Sequence, residues 1–159
     1  MRAAIVEQPG GPEVLQIKEI PVPSPRPGWV LIRVKAFGLN RSEMYTRQGH
    51  SPGVRFPRVL GIECVGVVEE GGGTDLAPGQ KVAAVMGEMG RAYDGGYAEY
   101  TLVPASQAMP LTTDLPWETL AAIPETFLTA WGSLVEALDV QAGRSCSFAA
   151  ARRRWAWPP

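Results

Sequence analysis

The sequence predicts a mainly β domain of sandwich or barrel type, closed by a short helical segment, and three observations carry that reading. Short apolar runs recur between Gly- and Pro-rich turns through the first two thirds of the chain, a spacing that suits an antiparallel sandwich or barrel better than alternating βαβ units. Several of those runs alternate apolar and polar residues, the period of two that a half-buried strand requires. Beyond Pro110 the period lengthens to that of an amphipathic helix.

A first strand is expected over residues 3–7, closed by Gln8-Pro9-Gly10-Gly11-Pro12. Residues 14–20 set Val14, Gln16 and Lys18 against Leu15, Ile17 and Glu19, a second strand with one face covered. Pro21, Pro23, Pro25 and Pro27 lack the N–H that a ladder needs, so 21–28 is an extended surface connection. Residues 29–39 alternate Val30, Ile32 and Val34 against Leu31, Arg33 and Lys35, a strand with one wet face. A short polar helix begins at Asn40-Arg41-Ser42-Glu43, with Asn at the cap and Glu three positions on, a variant of the capping box. Residues 59–70 hold the β-prone run Val65, Val67, Val68. Turns at Gly71-Gly72-Gly73-Thr74-Asp75 and Ala77-Pro78-Gly79-Gln80 lead to strands over 81–86 and 97–103. Asp114-Leu115-Pro116-Trp117-Glu118 reads as a helix start capped by Asp114, with Trp117, Leu120 and Ala121 on one face. Ile123-Pro124 interrupts it, and a second helix over 125–138 carries an apolar stripe of Phe127, Leu128, Trp131, Leu134, Val135 and Leu138. Phe127 and Trp131 are expected in the core from their place on that stripe.

Composition narrows the function classes. Of 15 Lys and Arg, three are Arg152, Arg153 and Arg154, so residues 1–144 carry 12 cations against all 16 acids. No basic stripe of the kind that binds nucleic acid is present there. No apolar run approaches the roughly 20 residues that span a bilayer, and the N-terminus reaches Glu7 and Pro9-Gly10-Gly11 too early for a secretion signal. With two cysteines, Cys64 and Cys146, and no export signal, a reducing cytoplasm and free thiols are expected. Cys64 reads as a small buried hydrophobe and His50 as a loop residue.

Three segments resemble the zinc-independent quinone-reductase branch of the medium-chain dehydrogenase/reductase superfamily. They are Gly38-Leu39-Asn40-Arg41-Ser42-Glu43-Met44-Tyr45-Thr46-Arg47-Gln48-Gly49, Gly61-Ile62-Glu63-Cys64-Val65-Gly66-Val67-Val68 and Gly95-Gly96-Tyr97-Ala98-Glu99-Tyr100. The Ala77-Pro78-Gly79-Gln80-Lys81-Val82 turn and Thr129-Ala130-Trp131 fit in the same register, and the resemblance spans residues 1 to about 143. It implies a mainly β (α+β) fold: a GroES-like, partly open β-barrel with short helices and a C-terminal bridging helix pair leading toward a Rossmann domain. It also implies hydride transfer from NADPH or NADH to a quinone, enone or similar activated carbonyl, chemistry that belongs to the cofactor.

Zinc-containing relatives place Cys where this chain has Asn40 and His where it has Ile62. Catalytic zinc needs about three protein ligands, whereas this chain has one His, and Glu63 and Cys64 are adjacent strand residues pointing to opposite faces. No metal is expected. The resemblance assigns Asn40 to the nicotinamide ribose and substrate, Tyr45 to the substrate cleft as a donor to the acceptor oxygen, and Thr129 to the nicotinamide end. Arg47 could meet a cofactor phosphate. Each has a plainer alternative: Asn40 as a helix cap, Tyr45 as packing on the barrel, Arg47 as solvated surface, and Thr129 bonded to its own helix. Glu63 reads as structural.

No strand, Gly-rich turn and helix start of the kind that holds a pyrophosphate follows, so residues 1–143 are read as the substrate-side domain alone, unable to bind NAD(P)H tightly or to turn over. Two other readings stay open: a stand-alone GroES-like binding or scaffold module, and a zinc-type alcohol dehydrogenase relative that has lost its ligands. The apolar stripe separates the stand-alone module from half of a larger enzyme, because a domain that evolved alone covers it and a severed half leaves it partly exposed as a surface for self-association. Residues 144–159 break from the family pattern, with Arg152-Arg153-Arg154-Trp155-Ala156-Trp157-Pro158-Pro159 lacking either period. Reading each codon one base out of frame, Trp155-Ala156 forces a Gly and Trp157-Pro158 an Ala, and permitted codons elsewhere can complete LLIRGGTSSVGMAA, a strand, a Gly-rich turn and a helix start; an unrelated divergent tail is the alternative. A frameshift near Ser145 followed by a disordered tail is therefore expected.

Overall fold

The computed structural model describes residues 1–141 and 143; the expected tail over 144–159 and Cys146 lie outside them. Eight strands form two antiparallel sheets. β1 (Arg2–Val6), β2 (Leu15–Glu19) and β4 (Arg58–Val59) make a three-stranded sheet in the order β2-β1-β4. The larger sheet, in the order β7-β3-β5-β6-β8, combines β3 (Trp29–Ala36), β5 (Glu63–Glu70), β6 (Lys81–Val85), β7 (Tyr100–Pro104) and β8 (Ala108–Pro110). It curls into a half-barrel, and the β3–β5 register slips between Leu31 and Ile32 and again between Val34 and Ala36, irregularities of the kind that bend a strand. The fold is the GroES-like one that the sequence predicts.

β5 shows why the valine run does not alternate. Cys64 and Val68 pack with Val30, Ile32, Val82 and Ala84 on one face, while Val65 and Ala83 meet Leu120 and Ala121 on the other. The central strand is covered by barrel core on one side and by α2 (Trp117–Ala121) on the other, so both faces are apolar. The expected strand over 59–70 is in fact two. Gly61, at φ +108°, breaks it, and a Cβ there would lie 2.6 Å from the Gly96 nitrogen. A Cβ on Gly95 would lie 2.2 Å from the Gly61 oxygen. The two glycine motifs are thus one backbone contact, closed by the Gly96 and Tyr97 N–H groups donating to the Gly61 and Leu60 carbonyls.

Other expectations change in detail. Leu15 and Ile17 of β2, an edge strand of the smaller sheet, are exposed, Ile17 at 71%. Leu31 is buried with Val30 and Ile32, so only the second half of β3 has a wet face. β8 carries no alternation long enough to read. α2 is capped at Pro116 rather than Asp114. The second helix is α-helical only over α3 (Pro124–Trp131) and widens into π-helical turns over Gly132–Ala137. Phe127 and Trp131 are not in the core: they are 64% and 60% exposed, with Leu128 and Leu138 also exposed. No helix of the described residues is long and apolar enough to cross a membrane.

Candidate functional site

The site is built where α1 (Arg41–Arg47) begins. Phe37-Gly38-Leu39 carry the chain from β3 to Asn40, whose backbone is extended at φ −114°, ψ 147° and caps the helix. Glu43, in the first turn, reaches back to accept the Asn40 N–H at 2.7 Å, the reciprocal half of a capping box. This carboxylate is buried, and its other donors come from outside the helix: the Ile62 N–H at 2.8 Å and the Tyr97 hydroxyl. One side chain therefore joins α1, the entry to β5 and the Gly95-Gly96-Tyr97 turn. Burial holds the Glu43 carboxyl above its ordinary range, and the bonds from Tyr97, Asn40 and Ile62 draw it part of the way back. Burial, reinforced by the bond to Glu43, also raises the Tyr97 phenol, which stays protonated as a donor.

Glu63 is the second buried carboxylate, 3% exposed. Its Oε1 accepts Asn40 Nδ2 at 2.7 Å and its Oε2 accepts the Glu125 N–H at 2.9 Å. Glu125 follows Pro124 in the first turn of α3, where free N–H groups and the helix dipole favour a negative partner. Gly38 makes room for it, since a Cβ there would lie 2.1 Å from Glu63 Oε1. Glu125 Oε1 accepts Thr129 Oγ1 at 2.9 Å, while its Oε2 is buried with no partner among the described residues.

Asn40, Glu63, Glu125 and Thr129 thus form one continuous chain of donors and acceptors. It brings Asn40 and Thr129 into a single network, and because a carboxylate only accepts, it fixes Asn40 with Nδ2 toward Glu63. Tyr45 and Arg47 are not part of it. Tyr45 is 39% exposed, its ring centroid lies 6.2 Å from that of His50 and 5.7 Å from the Arg41 guanidinium, and its hydroxyl makes no hydrogen bond among the described residues. Arg47 holds the Gly10 N–H through its carbonyl, and its Nη1 is buried without a partner among the described residues.

Beside α1 lies a small cavity of about 130 Å³, lined by Ser42, Thr46 and Ser51 on one side and by Ile62, Met86 and Met89 on the other. Its wall includes a turn in which Met86, Gly87 and Glu88 all take positive φ (62°, 56° and 73°). Such backbone is strained for the two non-glycine residues, and it is pinned from outside. Gln107 Nε2 donates to the Gly87 carbonyl at 2.7 Å, and the Tyr93 hydroxyl, pushed up to about 12 chiefly by burial, donates to the Gln107 carboxamide oxygen.

No three His, Cys, Asp or Glu side chains gather as a metal site among the described residues. Cys64 is a free, fully buried thiol pushed up to about 12 by burial. Reading the sequence left Glu43, Glu125 and Tyr97 out of the site and gave Glu63 no specific partner. The available signals were an isolated acid inside the apolar run Gly61-Ile62-Glu63-Cys64-Val65, and a Glu directly after a helix-starting Pro with Thr four residues on.

A curled β half-barrel with a helix that a buried carboxylate ties to the sheet is the architecture of the GroES-like domain of medium-chain dehydrogenases and reductases. The chain belongs to the alcohol dehydrogenase GroES-like domain family, whose profile matches residues 26–113, more than half of it. It is 37% identical over 150 residues to a trans-enoyl reductase of Aspergillus flavipes, covering 88% of this chain and 43% of the relative. It is 36% identical over 149 residues to a quinone oxidoreductase of Homo sapiens, covering 91% of this chain and 44% of the relative. A solved NAD-dependent alcohol dehydrogenase superposes with a TM-score of 0.82 at 36% identity, over 90% of this chain and 49% of that one. The chain spans less than half the length of these relatives.

Proposed function

We propose that this chain is the substrate-side half of a zinc-free NAD(P)H-dependent oxidoreductase that reduces a quinone, enone or similar activated carbonyl. The observation that carries this reading is the Asn40–Glu63–Glu125–Thr129 chain, which sets polar groups from two distant segments at the junction of barrel and bridging helix. An unpartnered buried oxygen at that junction, Glu125 Oε2, is what a site awaiting a hydrogen-bond donor presents. The nicotinamide, when bound, supplies the hydride.

The chain's own residues orient and polarise. Asn40 and Thr129 face the cofactor end; Thr129 spends its proton on Glu125 and so offers lone pairs. Tyr45, with an unengaged hydroxyl, donates to the acceptor oxygen, where negative charge develops. The Arg47 guanidinium serves an anionic group. The zinc-free assignment is supported by what surrounds Glu63. An amide N–H of Asn40 points at one carboxylate oxygen and the Glu125 N–H at the other, so a cation would meet donors where it needs lone pairs.

The pyrophosphate-holding unit must come from elsewhere in such an enzyme, so residues 1–159 alone bind NADPH weakly and do not turn over. Fluorescence titration with NADPH checks this: a dissociation constant weaker than about 100 μM is expected, and sub-micromolar binding would overturn it. The exposed stripe of Phe127, Trp131 and Leu138 favours a surface made to be covered over a self-sufficient scaffold module.

A further inference from the structure

We propose that Glu125 is a ligand-binding residue of this site, reading a hydroxyl or carboxamide N–H donor on a nicotinamide nucleoside; the proposal rests on the cofactor reading given above. Three features converge on that one carboxylate. Its backbone N–H is held by Glu63, which sets the first turn of α3 against the Asn40 side chain. Its Oε1 is held by Thr129 Oγ1 at 2.9 Å. With both anchors in place the carboxylate cannot rotate freely, and its remaining oxygen, Oε2, is buried with no partner among the described residues.

A buried carboxylate oxygen without a donor is costly, and native proteins supply one from protein, water or ligand. A carboxylate is acceptor-only, so the chemistry it reads is a hydrogen on oxygen or nitrogen. It repels a second anion. The neutral, donor-bearing groups of a nicotinamide nucleoside are its ribose hydroxyls and its carboxamide N–H₂. The acid analogue, with a carboxylate in place of the carboxamide, places two negative charges together if the carboxamide is the group that is read.

The test uses the 159-residue chain and nuclear magnetic resonance titration with nicotinamide mononucleotide and with nicotinic acid mononucleotide. Nicotinamide mononucleotide is expected to shift the Asn40 side-chain amide and the Glu125 and Thr129 backbone amides. Glu125→Gln keeps an oxygen for Thr129 but turns an N–H₂ toward the ligand; it is expected to weaken that binding at least fivefold with the melting temperature unchanged or raised. Weaker binding of the acid analogue by wild type, with the preference lost in Glu125→Gln, assigns the contact to the carboxamide. Equal binding of the two by wild type assigns it to the ribose. If the nucleotide shifts Asn40 and Thr129 but binds Glu125→Gln as tightly as wild type, Oε2 is satisfied by water and the Glu125 proposal falls while the cofactor reading stands. If it shifts none of these residues at millimolar nucleotide, the Glu125 proposal falls, while the cofactor reading, which expects weak binding by this half alone, stands.

Discussion

Glu43 shows how one side chain can be both a helix cap and a joint between segments. Its carboxylate takes the Asn40 N–H that any first-turn Glu could reach, and then two donors, Ile62 and Tyr97, that no helix supplies. Because burial holds the group above its ordinary value of 4.5, the folded protein binds this proton more tightly than the unfolded chain does. The resulting stabilisation is complete below 4.5 and is lost as pH rises through the raised value. Thermal melts between pH 4 and pH 8 on wild type and Glu43→Gln measure it. Relative to the variant, the wild-type melting temperature should fall as pH climbs through that window, and a relative rise would contradict the sign. At every pH the Gln variant should be less stable by about 1–3 kcal/mol, because its amide N–H₂ confronts donors where an oxygen accepted them.

At the level of elements, legibility followed the local signal. β1, β6 and α1 could be read because their periodicity or capping residues lie within a few positions of one another, and the fold class followed from the turns between short strands. β8 could not, since its three residues depend on pairing with β6. The break at Gly61 was hidden because it exists to let Gly95 and Gly96 approach, a contact made far along the chain. Asn40, Tyr45, Arg47 and Thr129 could be named from motif resemblance, but the wiring of Asn40 and Thr129 through Glu63 and Glu125 could not, for the hydrogen bonds join residues without a shared period. On the stripe of α3 two expectations part: Phe127 and Trp131 are not in the core, whereas the exposure expected of half a larger enzyme is what the structure has. Exposed at Phe127 and Trp131, the stripe should drive self-association or dye binding. Trp131→Lys is expected to reduce both, measured by sedimentation and dye fluorescence, while shifting stability by no more than about 0.5 kcal/mol. Unchanged association in that variant would remove the stripe as the contact surface.

For the whole molecule, we propose that the gene carries a frameshift near the codon for Ser145. Sequencing the region downstream of the codon for Ser145 is expected to show, one base out of frame, a Gly-rich turn followed by further strands and helices of a dinucleotide-binding domain; unrelated sequence there would end the proposal. The site's wiring also bears on how the chain reaches its native state. The Tyr97–Glu43 bond closes a loop of 54 residues and the Glu125–Glu63 bond one of 62. Neither gives any return until the entropy of closing such a loop has been met, and topologies dominated by distant pairings fold slowly for that reason. The helix α1 and the hairpin of β1 and β2 can form early from neighbouring residues. The four-residue relay cannot, because it needs the barrel closed and the bridging helix docked together. Completion of the relay is therefore a late event in the folding of this chain, reached in one cooperative step rather than accumulated strand by strand.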